Sequence, residues 1–175
     1  MLRVSFDANT HKFGTEADTI LSSAKTKMSI SFPRVSPDGR FILFCMSAYG
    51  NFTIWHRESD LCLIDLVTGS MAKPDINSDQ TESYHSWSSN GHWIVFSSRR
   101  INGLYTMPFF SYFEGDGHFS KPFLLPQGNP LFYDLFMKSF NVPEFATSEI
   151  SLNPRILADI AKKEAEKTTF AVKEE

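Results

Sequence analysis

Ser36-Pro37-Asp38-Gly39-Arg40-Phe41-Ile42-Leu43-Phe44 decides the fold, because the chain writes this pattern twice. The second copy, 52 positions on, is Ser88-Ser89-Asn90-Gly91-His92-Trp93-Ile94-Val95-Phe96. Each copy is a small polar turn carrying Asp-Gly or Asn-Gly, followed by four consecutive large apolar residues. These turn residues accept the positive φ that tight connections demand, so between extended segments they signal hairpins. The apolar runs are short, β-branched and aromatic, which reads as strands buried on both faces. Gly39 and Gly91 are therefore expected at positive φ.

Working outward, Phe6-Asp7-Ala8-Asn9-Thr10 echoes Ile64-Asp65-Leu66-Val67-Thr68-Gly69, and Tyr112-Phe113-Glu114-Gly115-Asp116-Gly117 takes the same part later. Each is an apolar strand end running into a polar turn. A unit of about 50 residues then holds four strands in meander order, the signature of a β-propeller. The first unit places strands near Ser29–Val35, Phe41–Ser47, Leu61–Leu66 and Met71–Pro74. The second places them near Tyr84–Ser88, Trp93–Ser98, Leu104–Phe113 and Phe119–Leu125. Leu2–Phe6 and the piece near Phe13 read as the outer strands of a preceding blade whose inner partners would lie before Met1.

The expected fold is thus all-β: a partial β-propeller of about two and a half four-stranded antiparallel blades. Its divisions are 1–26 (outer strands of an incomplete blade), 27–76 and 77–127 (full blades), and 128–175 (a C-terminal extension with short helices). Asn129-Pro130 before Phe132, Leu135, Phe136 and Phe140 signals one helix start. Asn153-Pro154 signals another, from Arg155 to about Thr168, with Ile156, Leu157, Ile160 and Ala161 as a narrow apolar stripe. A wedge with unclosed edges is expected to associate with itself or to be the C-terminal part of a longer polypeptide.

The repeat resembles that of TolB-like propellers, also called WD40-like propellers. Ser36, Pro37, Asp38 and Gly39 carry the likeness in one copy, and Trp87, Ser88, Asn90 and Gly91 in the other. The longer strings Phe32-Pro33-Arg34-Val35-Ser36-Pro37-Asp38-Gly39 and Glu82-Ser83-Tyr84-His85-Ser86-Trp87-Ser88 resemble TolB-related proteins of Bacteroidetes-type bacteria. The second copy departs from the pattern with Ser89-Asn90 in place of Pro-Asp, which keeps the turn chemistry. The likeness covers about residues 1–145. It implies a periplasmic or envelope-associated binding scaffold that is not a catalyst.

Composition narrows the function. The 175 residues are 14% aromatic with seventeen Phe, which excludes a mainly disordered chain. A net charge of -3 argues against a nucleic-acid partner, which a basic face would announce. No apolar run reaches the roughly 18 residues of a transmembrane helix. The N-terminus shows no basic segment leading into an apolar stretch, so no signal peptide is read on this chain. Cys45 and Cys62 can make at most one bridge, and their pairing stays open. No Gly-x-Ser-x-Gly elbow is present for acyl transfer. The five histidines, His11, His56, His85, His92 and His118, lack metal-site spacing. We therefore expect no catalytic residue, no metal and no cofactor.

Binding candidates come from propeller geometry, in which the first strand of each blade lines the central channel. Arg34, Tyr84 and His85 on such strands would form a channel-mouth cluster for a polar ligand or a partner's peptide. Trp55 and Arg57, in the aromatic insert 49–57, would add an interaction surface or fold back over a blade. Partners expected on this reading are a protein, a peptide or an envelope glycan, with self-association through open blade edges. The alternatives are a regulatory propeller portion of a larger enzyme, such as a serine peptidase, and a glycan-active propeller.

Overall fold

The computed structural model describes residues 1–167. It comprises one unit, Met1–Phe145, and a second beginning at Ala146. The first unit opens with an antiparallel hairpin, β1 (Leu2–Asp7) and β2 (Lys12–Thr19), followed by the one-turn helix α1 (Ser23–Thr26). A first antiparallel sheet then runs β3 (Ser29–Val35), β4 (Phe41–Ser47), β5 (Asp60–Asp65) and β6 (Met71–Ala72), paired in that order. A second repeats the meander with β7 (Glu82–Trp87), β8 (Trp93–Ser98), β9 (Met107–Tyr112) and β10 (Phe123–Leu124). The chain is all-β, two successive four-stranded blades and a hairpin, and the sheets do not close on themselves: an open, partial propeller.

The repeat is reproduced bond for bond. In the first blade Gly39 N–H donates to Ser36 O (2.8 Å) and Ser36 N–H to Phe41 O (2.8 Å), closing the turn. Ser36 Oγ donates to Asp38 Oδ1 (2.5 Å) and accepts from Phe41 N–H (2.9 Å), while Arg40 N–H reaches Asp38 Oδ1 (3.1 Å). The second blade repeats all five bonds with Ser88, Asn90, Gly91, His92 and Trp93, at 2.7–3.1 Å. The serine hydroxyl serves as both donor and acceptor, and only a side-chain oxygen two residues on completes the ring, which accounts for Asp or Asn there. Gly39 and Gly91 sit at φ +75° and +73°. An added Cβ at Gly39 meets nothing within 4 Å, so a substitution there meets backbone strain and no clash. Gly39→Val is expected to lower stability by about 1–3 kcal/mol in urea unfolding. A midpoint unchanged from wild type would show that the turn tolerates a β-branched residue.

Strict alternation along β4 divides the core. Phe41, Leu43 and Cys45 join Leu61 and Leu63 of β5 and pack against Ile94, Phe96, Met107, Phe109 and Phe113 of the second blade. Ile42, Phe44, Met46, Cys62 and Ile64 face the other way and are covered by Met1, Ile20, Leu21, Met28, Ile30 and Leu66. The two cysteines therefore lie on opposite faces of one sheet, Phe44 opposing Cys62 in register, and both thiols are free. Bridging them would need a strand to turn over. Among the described residues no helix is long and apolar enough to cross a membrane.

Outer strands are shorter than expected. β6 stops at Ala72, two residues before Pro74, which has no N–H for the ladder. Pro122 likewise confines β10 to Phe123–Leu124, leaving an isolated bridge between Phe113 and Phe119. β9 begins at Met107, because 99–106 is spent on a loop with a Gly103 N–H to Arg99 O bond of 2.7 Å. Of the expected helices, α2 is one turn (Phe132–Leu135). In the second unit α3 runs Pro154–Ala161, capped by the Asn153 side chain. It ends short of the expected run to Thr168, a residue outside those described.

Both inner strands carry the same defect. Phe32 and Pro33 together oppose Phe44, and Tyr84 and His85 together oppose Phe96, a β-bulge at equivalent repeat positions. Phe32 (φ +52°) and Tyr84 (φ +48°) take up the left-handed backbone. Large aromatic residues seldom do so, at a cost of about 1–3 kcal/mol each that packing must offset. Their rings meet edge-on at 5.1 Å where the two inner strands adjoin.

Candidate functional site

The bulge places Tyr84, and the insert comes to meet it. Thr53–Trp55 forms a 3-10 turn whose first residue is fully buried, with Thr53 Oγ1 3.0 Å from Ser83 Oγ beside the bulge. Thr81 Oγ1 donates to His56 O (2.7 Å) on the far side of the turn. Pinned at both ends to the second blade, the turn buries Ile54 and pushes Trp55 outward, leaving Trp55 72% exposed. The third wall comes from 139–141. Phe140 N–H donates to Thr106 O (2.9 Å), Thr106 Oγ1 donates to Phe140 O, and Ser97 Oγ donates to Asn141 O (2.9 Å).

These elements enclose a cleft of about 420 Å³, lined chiefly by Phe52, Trp55, Tyr84, Arg99, Phe140 and Asn141. Arg99 lies over the Trp55 ring, 4.5 Å from its centroid, a cation–π arrangement that Arg favours. The lining holds one cation and no carboxylate. Burial lowers the Arg99 pKa from its usual value.

Of the residues singled out in the sequence, the structure brings Trp55 and Tyr84 together and separates the rest. Arg34 is half exposed and paired with Glu144 (3.0 Å), so its charge is already met. Arg57 binds Asp79 through its carbonyl (3.0 Å) and carboxylate (3.3 Å) along a different groove. Trp87 donates Nε1–H to Arg34 O (3.1 Å), meets Phe113 edge-on at 5.1 Å and lies tilted against Phe119 at 6.2 Å. It knits the blades together.

His85 is the correction. It was expected at the channel mouth beside Arg34 and Tyr84, and it is 1% exposed between the blades. Its Nε2–H donates to Leu43 O (2.7 Å), which leaves Nδ1 facing Cys45 Sγ at 3.8 Å. Burial pushes its pKa down to about 4, and pushes the Cys45 thiol up to about 11. A neutral imidazole beside a protonated thiol in a dry core is an inert pair, since nucleophilic cysteines need the opposite shift and access.

The sequence reading passed over Arg99 altogether. It also passed over Glu82, fully buried, whose carboxylate accepts from Ser78 N–H (3.0 Å), Ser78 Oγ (2.6 Å), Ser98 Oγ (2.7 Å) and Arg100 (3.0 Å). Arg99 sits in no motif, and Glu82 only opens the string quoted for the resemblance, where nothing marks it as buried. Each is brought to its partners only by strand register and loop return.

No protein-family model matches the chain, and no curated protein matches it. Among solved structures it is similar to TolB from Acinetobacter baumannii, at 20% identity and a TM-score of 0.48. That likeness covers 65% of this chain and 24% of the other, so the chain spans about a quarter of that protein's length. The assignment as an open propeller rests on the repeat and the sheets themselves.

Proposed function

We propose that this chain is a non-enzymatic propeller-type scaffold that binds a peptide segment of a protein partner in the Trp55–Tyr84 cleft. One observation carries the reading: a strained bulge and a pinned turn, far apart in sequence, converge to hold two aromatic side chains at the mouth of a single cleft. Exposed aromatics next to Arg, held on rigid elements, are the composition of an interface centre. An envelope location belongs to the same proposal and draws on the resemblance of the repeat. The inert Cys45–His85 pair favours binding over catalysis, and the regulatory-propeller and glycan alternatives have no comparable observation behind them.

The test is to pan a phage-displayed peptide library against the full chain and titrate selected peptides into wild type and Trp55→Ala. Trp55 is exposed, so the variant is expected to keep its melting temperature while affinity falls about tenfold or more, as for an aromatic interface anchor. Peptides that bind the variant as well as wild type would place the binding surface elsewhere.

A further inference from the structure

Four polar groups line the Trp55–Tyr84 cleft without a hydrogen-bond partner among the described residues: the Arg99 guanidinium, Trp55 Nε1–H, the Tyr84 hydroxyl and the Asn141 side-chain amide. For Arg99 the lack is acute, because its Nε is shut away from solvent and bonded to nothing. Buried nitrogen donors are nearly always satisfied, so an orphan calls for an explanation. Its neighbour Arg100 shows how this fold treats a structural arginine. Arg100 pairs with Glu82 (3.0 Å), Ser98 Oγ (2.9 Å) and Ile76 O (2.6 Å). Arg34, Arg40 and Arg57 also have acidic partners. Arg99 appears in no ion pair among the described residues, although it is held in place by Trp55.

We propose that the cleft recognises the C-terminal carboxylate of a peptide ending in an apolar residue, with Arg99 as the anion-binding group. The inference rests on the peptide-binding reading above and names the ligand that would satisfy it. Two features select this ligand. The unpartnered groups supply several donors and a positive charge, with no carboxylate in the lining, so the complementary group is an anionic acceptor. Apolar walls from Phe52, Trp55 and Phe140 stand beside those donors. A terminal residue carries its carboxylate and its side chain on the same Cα, so it presents charge and apolar bulk side by side. An internal Asp or Glu carries its carboxylate away from the neighbouring side chain.

Three probes decide it by tryptophan fluorescence titration of the full chain: acetyl-Gly-Phe with a free carboxylate, acetyl-Gly-Phe-amide, and acetyl-Asp-Phe-amide. The free acid is expected to bind about tenfold or more tighter than either amide, the usual gain of a charge-assisted pair over a neutral contact. Arg99→Gln should erase that preference, Arg99→Lys should keep part of it, and high salt should weaken it in wild type. If Arg99→Gln lowers the melting temperature, the lysine variant and the salt series carry the test alone. Equal binding of the acid and its amide overturns the carboxylate assignment, and equal binding of the aspartyl amide overturns the terminal one. In both cases library peptides that lose affinity on Trp55→Ala leave the cleft reading standing. Peptides indifferent to Trp55→Ala overturn both.

Discussion

Glu82→Ala is expected to destabilise the chain by about 3–5 kcal/mol, read as a fall in the urea midpoint at neutral pH. The side chain is fully buried and its carboxylate takes four hydrogen bonds from Ser78, Ser98 and Arg100. Removing it leaves the Arg100 guanidinium, itself mostly buried and lying 4.7 Å from the centroid of the Phe109 ring, without a counter-charge. The uncompensated charge dominates the cost, since the net worth of an intact buried pair is small. Glu82 is also a junction between blades. Its N–H donates to Ser59 O (2.8 Å), and Ser59 Oγ donates to its carbonyl (3.0 Å). With a domain stability of about 5–15 kcal/mol, the loss would bring much of the chain close to unfolding at ambient temperature. Two further variants separate charge from shape. Arg100→Met alone should cost nearly as much, whereas Glu82→Leu with Arg100→Met should recover most of the loss, because both charges go together. A double variant as unstable as the sum of the singles would mean that packing, and not the charge pair, carries the effect.

The sequence was most readable where structure is local. The Ser36 and Ser88 turns carry their five bonds within six consecutive residues, so residue types alone announce them. The buried middle strands announce themselves too, since Phe41–Ser47 and Trp93–Ser98 are short runs that are apolar on both faces. The edges were less readable because pairing there depends on single prolines. The site was readable by halves. Aromatic residues in a long insert and on an inner strand pointed to Trp55 and Tyr84, but their meeting depends on Thr53 finding Ser83, a contact between two small hydroxyls with no signature. Arg99 looks in sequence like any strand-end cation beside Arg100, and only the partners that the fold supplies to Arg100 tell them apart.

His85 shows why a correct strand still gave a wrong face. Alternation assigns sides of a sheet by counting, and a bulge adds one to the count. The bulge at Tyr84 is invisible in sequence because it uses a left-handed aromatic residue in place of the glycine that would mark it. The turned-in imidazole makes the last prediction, an acid sensitivity centred well above the carboxylate range. His85 has a folded pKa of about 4 against 6.5 when free, so it is neutral in the folded chain and takes up a proton on unfolding below pH 6.5. The unfolded state then binds more protons, and stability falls as the pH drops from about 6.5 towards 4, with the full contribution present above that window. At about 1.36 kcal/mol per pKa unit, roughly 2 kcal/mol should be lost between pH 7 and pH 5, and roughly 3 kcal/mol by pH 4. The Cys45 thiol opposite it stays protonated throughout, and the Arg34 charge works in the same direction by disfavouring imidazolium. Asp65, held down to about 2 by Arg40, keeps its charge across this window. Urea unfolding of wild type and His85→Gln at pH 7, 6, 5 and 4.5 reads the difference. The variant starts less stable, having lost a well-fitted core side chain, and the gap between the two should close as the pH falls. Parallel profiles would mean that the imidazole reaches water in the folded chain, and that the inner strand opens where it is drawn closed.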